Sequence, residues 1–370
     1  MGDGEDVRRY WADKNGVHKT PAAGSAATPV ATLAEPDPAR PRAQDRRRGH
    51  LLDHRRRTVD NEEVAMTARK VVFDHTDPGL RPFIEVEAKI VLDIFAEARA
   101  AASPGRVEGA AARDLVRAVA DTATSDAEVG AREMSDQVPI LKCLLPMCQS
   151  GCSFCCHGSV FASTPEILRI AEFLKESRTP EELAALRAHA EATAARVEPL
   201  DIVGRAAARV PCPLLEESTG RCTVYEVRPI ACRAYHSGSV EACKKAFDTG
   251  DANPILPINP ALFHVAHAFS FGMMTACVAS DTDPGPYDLA LALPAALGSD
   301  LSAPWAAGER VLPSTPVNEK LRAACEGTLR ELAEDLRGGR LEAAAIVAKQ
   351  FDPDAQRREK NRKKRERRGR

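Results

Sequence analysis

Cys148-Gln149-Ser150-Gly151-Cys152-Ser153-Phe154-Cys155-Cys156-His157 is the stretch whose reading decides this chain. Four cysteines fall within nine residues, in a segment that also carries a glycine. Thiolates two or three residues apart turn onto one soft metal ion or iron–sulfur cluster, because the intervening loop is just long enough to aim both sulfurs inward. Cys148 and Cys152 have three residues between them, Cys152 and Cys155 have two, and Cys156 adds a further thiol. A second set follows: Cys212, Cys222, Cys232 and Cys243. These eight are the candidate metal ligands. Cys277 and Cys325 differ, since they fall on apolar helical faces and read as small buried hydrophobes. Cys143 is also read as structural.

The surroundings favour metal over disulfides. The opening Met1-Gly2-Asp3-Gly4-Glu5-Asp6 is acidic with no apolar segment behind it, so no signal peptide is expected. No run approaches the roughly 18 continuous apolar residues of a membrane span. A cytoplasmic location without a membrane partner follows as the expectation. In a reducing compartment eleven cysteines point to metal or catalysis. Neighbours such as Cys155 and Cys156 make poor disulfides, because their side chains diverge.

A chain of 370 residues can bury a substantial core in one or two domains. Aromatics are 5% of residues and alanine is abundant, which favours close-packed helices over a β-sandwich. The expected fold class is mainly α, with a small β-hairpin and a loop-rich cysteine cluster: a metal-stabilised helical domain. The net charge of −2 hides an asymmetry. Arg357–Arg370 carries +8 and Arg40–Arg57 carries +6, leaving an acidic body of −16.

Five segments are expected. Residues 1–65 read as a disordered Arg/Ala/Pro-rich segment. Its Arg46–Arg48 and Arg55–Arg57 blocks have no interleaved aromatics to stack on bases, and Met66 offers an alternative start. Residues 66–140 form an N-terminal helical region. Residues 141–250 hold the cysteine clusters. Residues 251–351 supply helices that pack on them, and 352–370 is a basic tail.

Periodicity predicts helices over 83–102, with Glu87 on the solvent side, over 107–121 and, more weakly, over 125–136. Val138-Pro139-Ile140-Leu141 leads into the cysteine run as extended chain. Ser163-Thr164-Pro165-Glu166 and Thr179-Pro180-Glu181-Glu182 are helix starts, each with a capping hydroxyl, a proline in the first turn and an acid at the positive dipole end. A loop is expected to follow as far as Val210. Pro211–Leu215 and Arg221–Tyr225 read as a hairpin placing Cys212 and Cys222 at neighbouring ladder positions. Arg228-Pro229 turns the chain into a short helix at Ile230–Arg233. Further helices are expected over 238–248, 259–277, 286–298, 316–337 and 341–351.

Around the thiols, Arg228 and Arg233 flank Cys232. Each suits either a hydrogen bond to sulfur or an ion pair with the acidic body. Tyr225 is expected to pack on the hairpin. His157 and His236 read as hydrogen-bonding neighbours of the site rather than ligands, since thiols are plentiful. His264 and His267 lie three apart on a helix without an accompanying carboxylate.

At this point the pattern becomes specific. Cys148-x3-Cys152-x2-Cys155-Cys156, then Cys212-Pro-Leu-Leu, then Cys222-Thr-Val-Tyr-Glu-Val-Arg-Pro-Ile-Ala-Cys232-Arg resembles the cysteine-cluster family of zinc- or iron-chelating domains, the YkgJ-like proteins. The resemblance spans 148–243. It implies chelation by Cys148, Cys152, Cys155, Cys156, Cys212, Cys222 and Cys232, with zinc or iron, including a [4Fe–4S] cluster, as cofactor. One relative, the flagellin lysine-N-methylase, implies that the family includes enzymes. Cys243 lies outside the inherited motif.

Two other functions compete with simple chelation. The spacing Cys148-x3-Cys152-x2-Cys155 also suits an iron–sulfur enzyme using S-adenosylmethionine, but the capped, alanine-rich helices that follow are unlike the parallel βα barrel such enzymes need. The basic run 357–370 suits an RNA or other acidic partner. No glycine-rich phosphate loop, serine triad or paired-carboxylate spacing is present. Oligomeric state is not encoded in any feature read here.

Overall fold

The structure, a computed structural model, describes residues 74–102, 106–137, 146–252 and 254–340. The expectations for residues 1–65, the lead at 138–141, Cys143, the helix over 341–351 and the tail at 352–370 lie outside these residues. Eleven α-helices and two two-stranded sheets make up the described architecture, as the mainly helical reading requires.

Helix α1 (Arg81–Ala101) starts with a proline in its first turn and buries Phe83, Ile84, Val86, Ile90, Val91 and Phe95. Helix α2 (Gly109–Gln137) is one continuous element where two were expected. The stretch Asp121–Ser125 contains no glycine or proline, and Ala123, Ala127 and Ala131 keep one buried stripe running through it.

After the cysteine run, strand β1 (Phe161–Ala162) leads to α3 (Thr164–Ser177) and α4 (Pro180–Val197). Both helices carry complete capping boxes, Ser163 with Glu166 and Thr179 with Glu182. The expected loop before Val210 contains a further helix, α5 (Ile202–Ala208), capped by Asp201 accepting from the Gly204 N–H. Strands β2 (Leu215–Glu216) and β3 (Arg221–Cys222) form a short antiparallel pair. Helices α6 (Ile230–Ala234) and α7 (Val240–Thr249) complete the cysteine-rich region.

Helix α8 (Pro260–Ala279) is the spine of the core. Asn259 caps it by accepting from the N–H groups of Ala261 and Leu262. Its window mean hydropathy of 1.4 and its length would suffice to cross a membrane, a feature hidden from a search for unbroken apolar runs by His264, His267 and Ser270. Most of that window is buried, and α8 packs against α1, α2, α6 and α11 (Pro316–Arg337). Apolarity all round is what a helix enclosed by other helices requires. Close approach depends on small residues. A Cβ on Gly272 would lie 2.5 Å from the Ile84 carbonyl oxygen, and one on Gly130 would lie 2.7 Å from the Phe269 ring.

Strand β4 (Tyr287–Asp288), helix α9 (Leu289–Gly298) and helix α10 (Ser302–Ala306) follow. Strand β1 pairs antiparallel with β4, matching Phe161 to Asp288 and Ala162 to Tyr287. Buried Asp283 gathers the adjoining chain: it accepts from Thr164 Oγ1 at 3.0 Å and Tyr287 OH at 2.7 Å, and pairs with Arg322 at 2.7 Å. One apolar core runs from Leu80 to Leu332 and includes residues of α1, α2, α3, α6, α8, α9 and α11. The segment after the first cysteine cluster is therefore stitched to both flanking helical regions.

Glu87 departs from the sequence reading. Helical periodicity puts it on the solvent side of α1, yet it is 0% exposed, because α8 covers that face at Gly272. Burial, and then Asp126 of α2, push its carboxyl well above the ordinary value of 4.5. The folded chain thus keeps a proton that the unfolded chain releases. Its contribution is complete below pH 4.5 and declines as pH rises from there towards the folded value. Glu87→Gln keeps the neutral shape, so its stability relative to wild type is expected to increase between pH 5 and pH 8. Urea denaturation across that range checks this; a difference independent of pH would contradict a protonated Glu87.

Candidate metal centre

The first cluster is held by its own backbone. Cys152 N–H donates to Gln149 O at 3.0 Å, and a 3-10 turn at Phe154–His157 presents Cys155 and Cys156. Met147 N–H donates to Ser237 O at 2.8 Å, and Cys148 Sγ lies 4.0 Å from that same oxygen. His157 is engaged by protein: Nδ1 sits 3.0 Å from Ser153 O, and the ring packs edge-on against Phe247 of α7 at 4.8 Å.

The second cluster comes to the first through three contacts. Cys212 N–H donates to Cys156 O at 2.7 Å. Gly220, at φ +67°, abuts the backbone of Gly151, at φ +89°, so closely that a Cβ on Gly220 would lie 2.5 Å from Gly151 O. Helix α7, which carries Cys243, packs on the 3-10 turn of the first cluster. The hairpin register differs from expectation. Cys222 pairs with Leu215, while Cys212 stands outside the ladder in a turn where the Leu215 N–H donates to Cys212 O at 3.0 Å. Pro211 and Pro213 lack the N–H groups that a longer ladder needs.

Cys232 is placed by a buried carboxylate. Glu166 Oε2 accepts from Ser163 N–H at 2.8 Å and Ser163 Oγ at 2.7 Å, and its Oε1 accepts from Ile230 N–H at 2.7 Å. The residue that completes the α3 capping box therefore also fixes the first turn of α6. Burial raises the Glu166 carboxyl above its ordinary value, against the lowering effect of these donors.

Every shift resolved among the candidate thiols is upward. Burial pushes Cys212 up to about 11, with neighbouring Cys222 adding to it. Burial, then Cys212, Cys155 and Cys222, hold Cys232 well above the usual thiol value. Its neighbour Cys156 is the leading cause that does the same for Cys155, an exposed residue whose thiol end alone is enclosed. Burial first, then Cys148 and Cys155, raises Cys152. Burial raises Cys243, with Cys148, Cys155 and Cys152 contributing, against a hydrogen bond with Ser237. Crowded thiols that resist losing protons one by one are suited to a cation that compensates them together.

The two arginines part company. Arg233 is tied into the fold: it pairs with Glu128 and donates to Arg228 O at 2.9 Å and Glu226 O at 2.5 Å. Arg228 has no carboxylate partner among the described residues. It stacks on Tyr225 at 4.2 Å, its buried Nε has no hydrogen-bond acceptor, and its charge favours the thiolates of Cys155, Cys222 and Cys232. Tyr225 is 60% exposed, not packed on the hairpin as expected; its ring covers the Arg228 guanidinium. Burial, then Arg228, lowers the proton affinity of His236.

The ten described cysteines are free thiols. Cys277 and Cys325 are buried in the core, as their apolar faces predict. His267 Nδ1–H donates to Phe263 O at 2.7 Å, and burial takes its pKa down to about 4. Spacing in the sequence could not disclose Glu166, Gly151, Gly220 or Ser237 as parts of this centre. Only the capping-box signature marked one of them, and it did so for a different task. Buried Arg205, read as loop, is another: its Nη1 pairs with both Asp288 oxygens at 3.0 Å, and the pair lies beside Cys212.

The donors suit a soft metal, being thiols supplied from several segments of the chain. Their spacing is open: among the described residues no three Cys, His, Asp or Glu side chains form a group tight enough to hold an ion. Fold and site thus define a helical scaffold bearing a thiol-rich chelating region. Residues 147–250 match the CxxCxxCC family model, described as "Putative zinc- or iron-chelating domain", which agrees with the resemblance read from the motif. Comparisons with curated proteins and with solved structures find no match.

The Gly151–Gly220 contact carries a test. Gly220→Ala adds a methyl to a left-handed residue pressed on backbone, and is expected to cost about 1–3 kcal/mol. Urea unfolding measures the cost, and limited proteolysis should show faster cleavage near residues 146–153. Unchanged stability and cleavage would mean the loops are joined by other contacts.

Proposed function

We propose that this protein chelates zinc or iron in the cytoplasm through Cys155, Cys212, Cys222 and Cys232, with the other thiols of the two clusters close by. The observation that carries the reading is the backbone contact between the two clusters: Cys212 N–H donates to Cys156 O and Gly220 abuts Gly151, so the second cysteine segment meets the first run. The family description of residues 147–250 supports the choice of metals. Ligands from three segments make the ion a cross-link, so its binding adds to folding stability. A zinc ion would supply a closed structural or regulatory link; iron would add electron-transfer chemistry.

The chain's own residues have distinct tasks. Glu166 sets the position of α6 and hence of Cys232. The Cys212 N–H bond to Cys156 O sets the hairpin against the first run. Arg228 offsets thiolate charge without occupying a ligand position, as neighbours of metal ligands do.

Anaerobic purification followed by metal analysis and an absorption spectrum tests the reading. Bound zinc or iron is expected, lost in Cys232→Ser and Cys212→Ser; brown protein with labile sulfide identifies a cluster, colourless protein identifies zinc. Fully folded protein containing neither metal would defeat it. Arg228→Gln is expected to release metal to a competing chelator several-fold faster while leaving the thermal midpoint of the metal-free chain nearly unchanged. Arg233→Gln, which breaks fold contacts, should lower that midpoint. Equal chelator rates for Arg228→Gln and wild type would remove the charge-compensating role.

A further inference from the structure

A cleft of about 310 Å³ opens between α2 and α3, at the lower end of the roughly 300–1,000 Å³ of small-molecule sites. Residues at helical spacing build its walls. Asp121, Thr124, Ser125 and Glu128 share one face of α2, and Arg169 and Phe173 share one face of α3. One end is closed by Glu226 and Val227 of the 3-10 turn Tyr225–Val227 and by Arg233 of α6. The cleft holds no cysteine, although that end lies in the segment between Cys222 and Cys232.

The ligand class follows from which polar groups are already spent. Both guanidiniums are engaged by protein. Arg233 gives Nε to Arg228 O, Nη1 to Glu128 and Nη2 to Glu226 O. Arg169 gives Nε to both Asp121 oxygens, at 2.9 and 3.1 Å, and holds Nη1 3.7 Å from Glu172 Oε2. The acceptors are less committed. Among the described residues the Glu226 carboxylate has no partner, Glu128 uses only Oε1, and the Thr124 and Ser125 hydroxyls make no hydrogen bond. Asp121, Glu128 and Glu226, with Glu166 behind them, outnumber the two guanidiniums, so an entering anion meets an excess of its own charge. Phe173, Val227 and Ala120 supply apolar wall. We propose that this cleft binds the ammonium group of a primary aliphatic amine. Its N–H donors go to Glu226, Glu128 Oε2 and the Ser125 hydroxyl, and its methylenes lie against Phe173 and Val227. The proposal stands apart from the chelating reading, since no thiol takes part in it.

A free amine and a lysine side chain on a polypeptide offer the same group, and n-butylamine and Nα-acetyl-lysine N-methylamide represent them. Calorimetric titration of the full-length protein at low ionic strength uses both probes, with butyrate as the oppositely charged control. Saturable binding of the amines is expected, with none of butyrate. Glu226→Gln removes a charge-assisted bond and should weaken amine binding about tenfold; Ser125→Ala should weaken it about twofold. The Glu226 side chain has no partner in the described fold, so its variant is expected to keep the wild-type thermal midpoint. Glu217→Gln, which removes another exposed carboxylate outside the cleft, should leave binding unchanged. Tighter binding of the lysine derivative supports the proposal with a polypeptide as the source, and tighter binding of n-butylamine supports it with a free amine. Absence of saturable amine binding, binding of butyrate in place of the amines, or equal effects of Glu217→Gln and Glu226→Gln would overturn it.

Discussion

The Glu166 carboxylate joins two parts of the chain that the metal centre needs in register. One oxygen closes the capping box of α3 and the other receives the Ile230 N–H of α6. Both helix starts leave orphan N–H groups that must be satisfied away from water, and one buried side chain serves both. Cys232 follows Ile230 by two residues, so its position relative to the core descends from this carboxylate. Ile230 and Ala234 then lock α6 beneath α8. The thiol centre is thus built on helices at its core side and on loops at its open side.

That asymmetry explains the division of charge. On the core side, burial is the leading cause that raises Cys212, Cys222 and Cys232, and Arg228 offsets part of it. Arg228 can act on sulfur because its neighbour Arg233 has taken the carboxylate and the carbonyls nearby. Two arginines five residues apart therefore have opposite employments, one in architecture and one in electrostatics. On the open side Ser237 and the Phe247 ring organise the loop, with His157 and Phe154 packed against that ring. The histidine packs its ring on Phe247 and bonds Ser153 O through Nδ1.

Much of the helical frame is legible in the residues alone. Ser163, Thr179 and Asn259 each cap the helix their sequence announces, because capping is a local hydrogen bond between residues two or three apart. The helix 316–337 appears as Pro316–Arg337 for the same reason, with its leucines at helical spacing on the buried side. Glu87 was misplaced because one stripe of a helical wheel does not say how many neighbours surround the helix. Residues 125–136 were detached from the helix before them because Thr and Ser weaken propensity locally, whereas packing of Ala123, Ala127 and Ala131 carries the helix through.

By itself the sequence determined the donor chemistry: soft thiols, in a spacing that suits metal, on a mostly helical chain. Those are properties of residue type and short-range separation. Only the tertiary structure decided that the second cysteine segment meets the first run, that Cys222 pairs with Leu215 rather than Cys212, and that Arg228 stacks on Tyr225 while Arg233 pairs with Glu128. The physical reason is that these relations depend on contacts between segments far apart in the chain. A glycine-to-glycine contact, a carboxylate shared by two helix starts and a serine carbonyl that accepts from the Met147 N–H leave no periodic trace in the residues that make them.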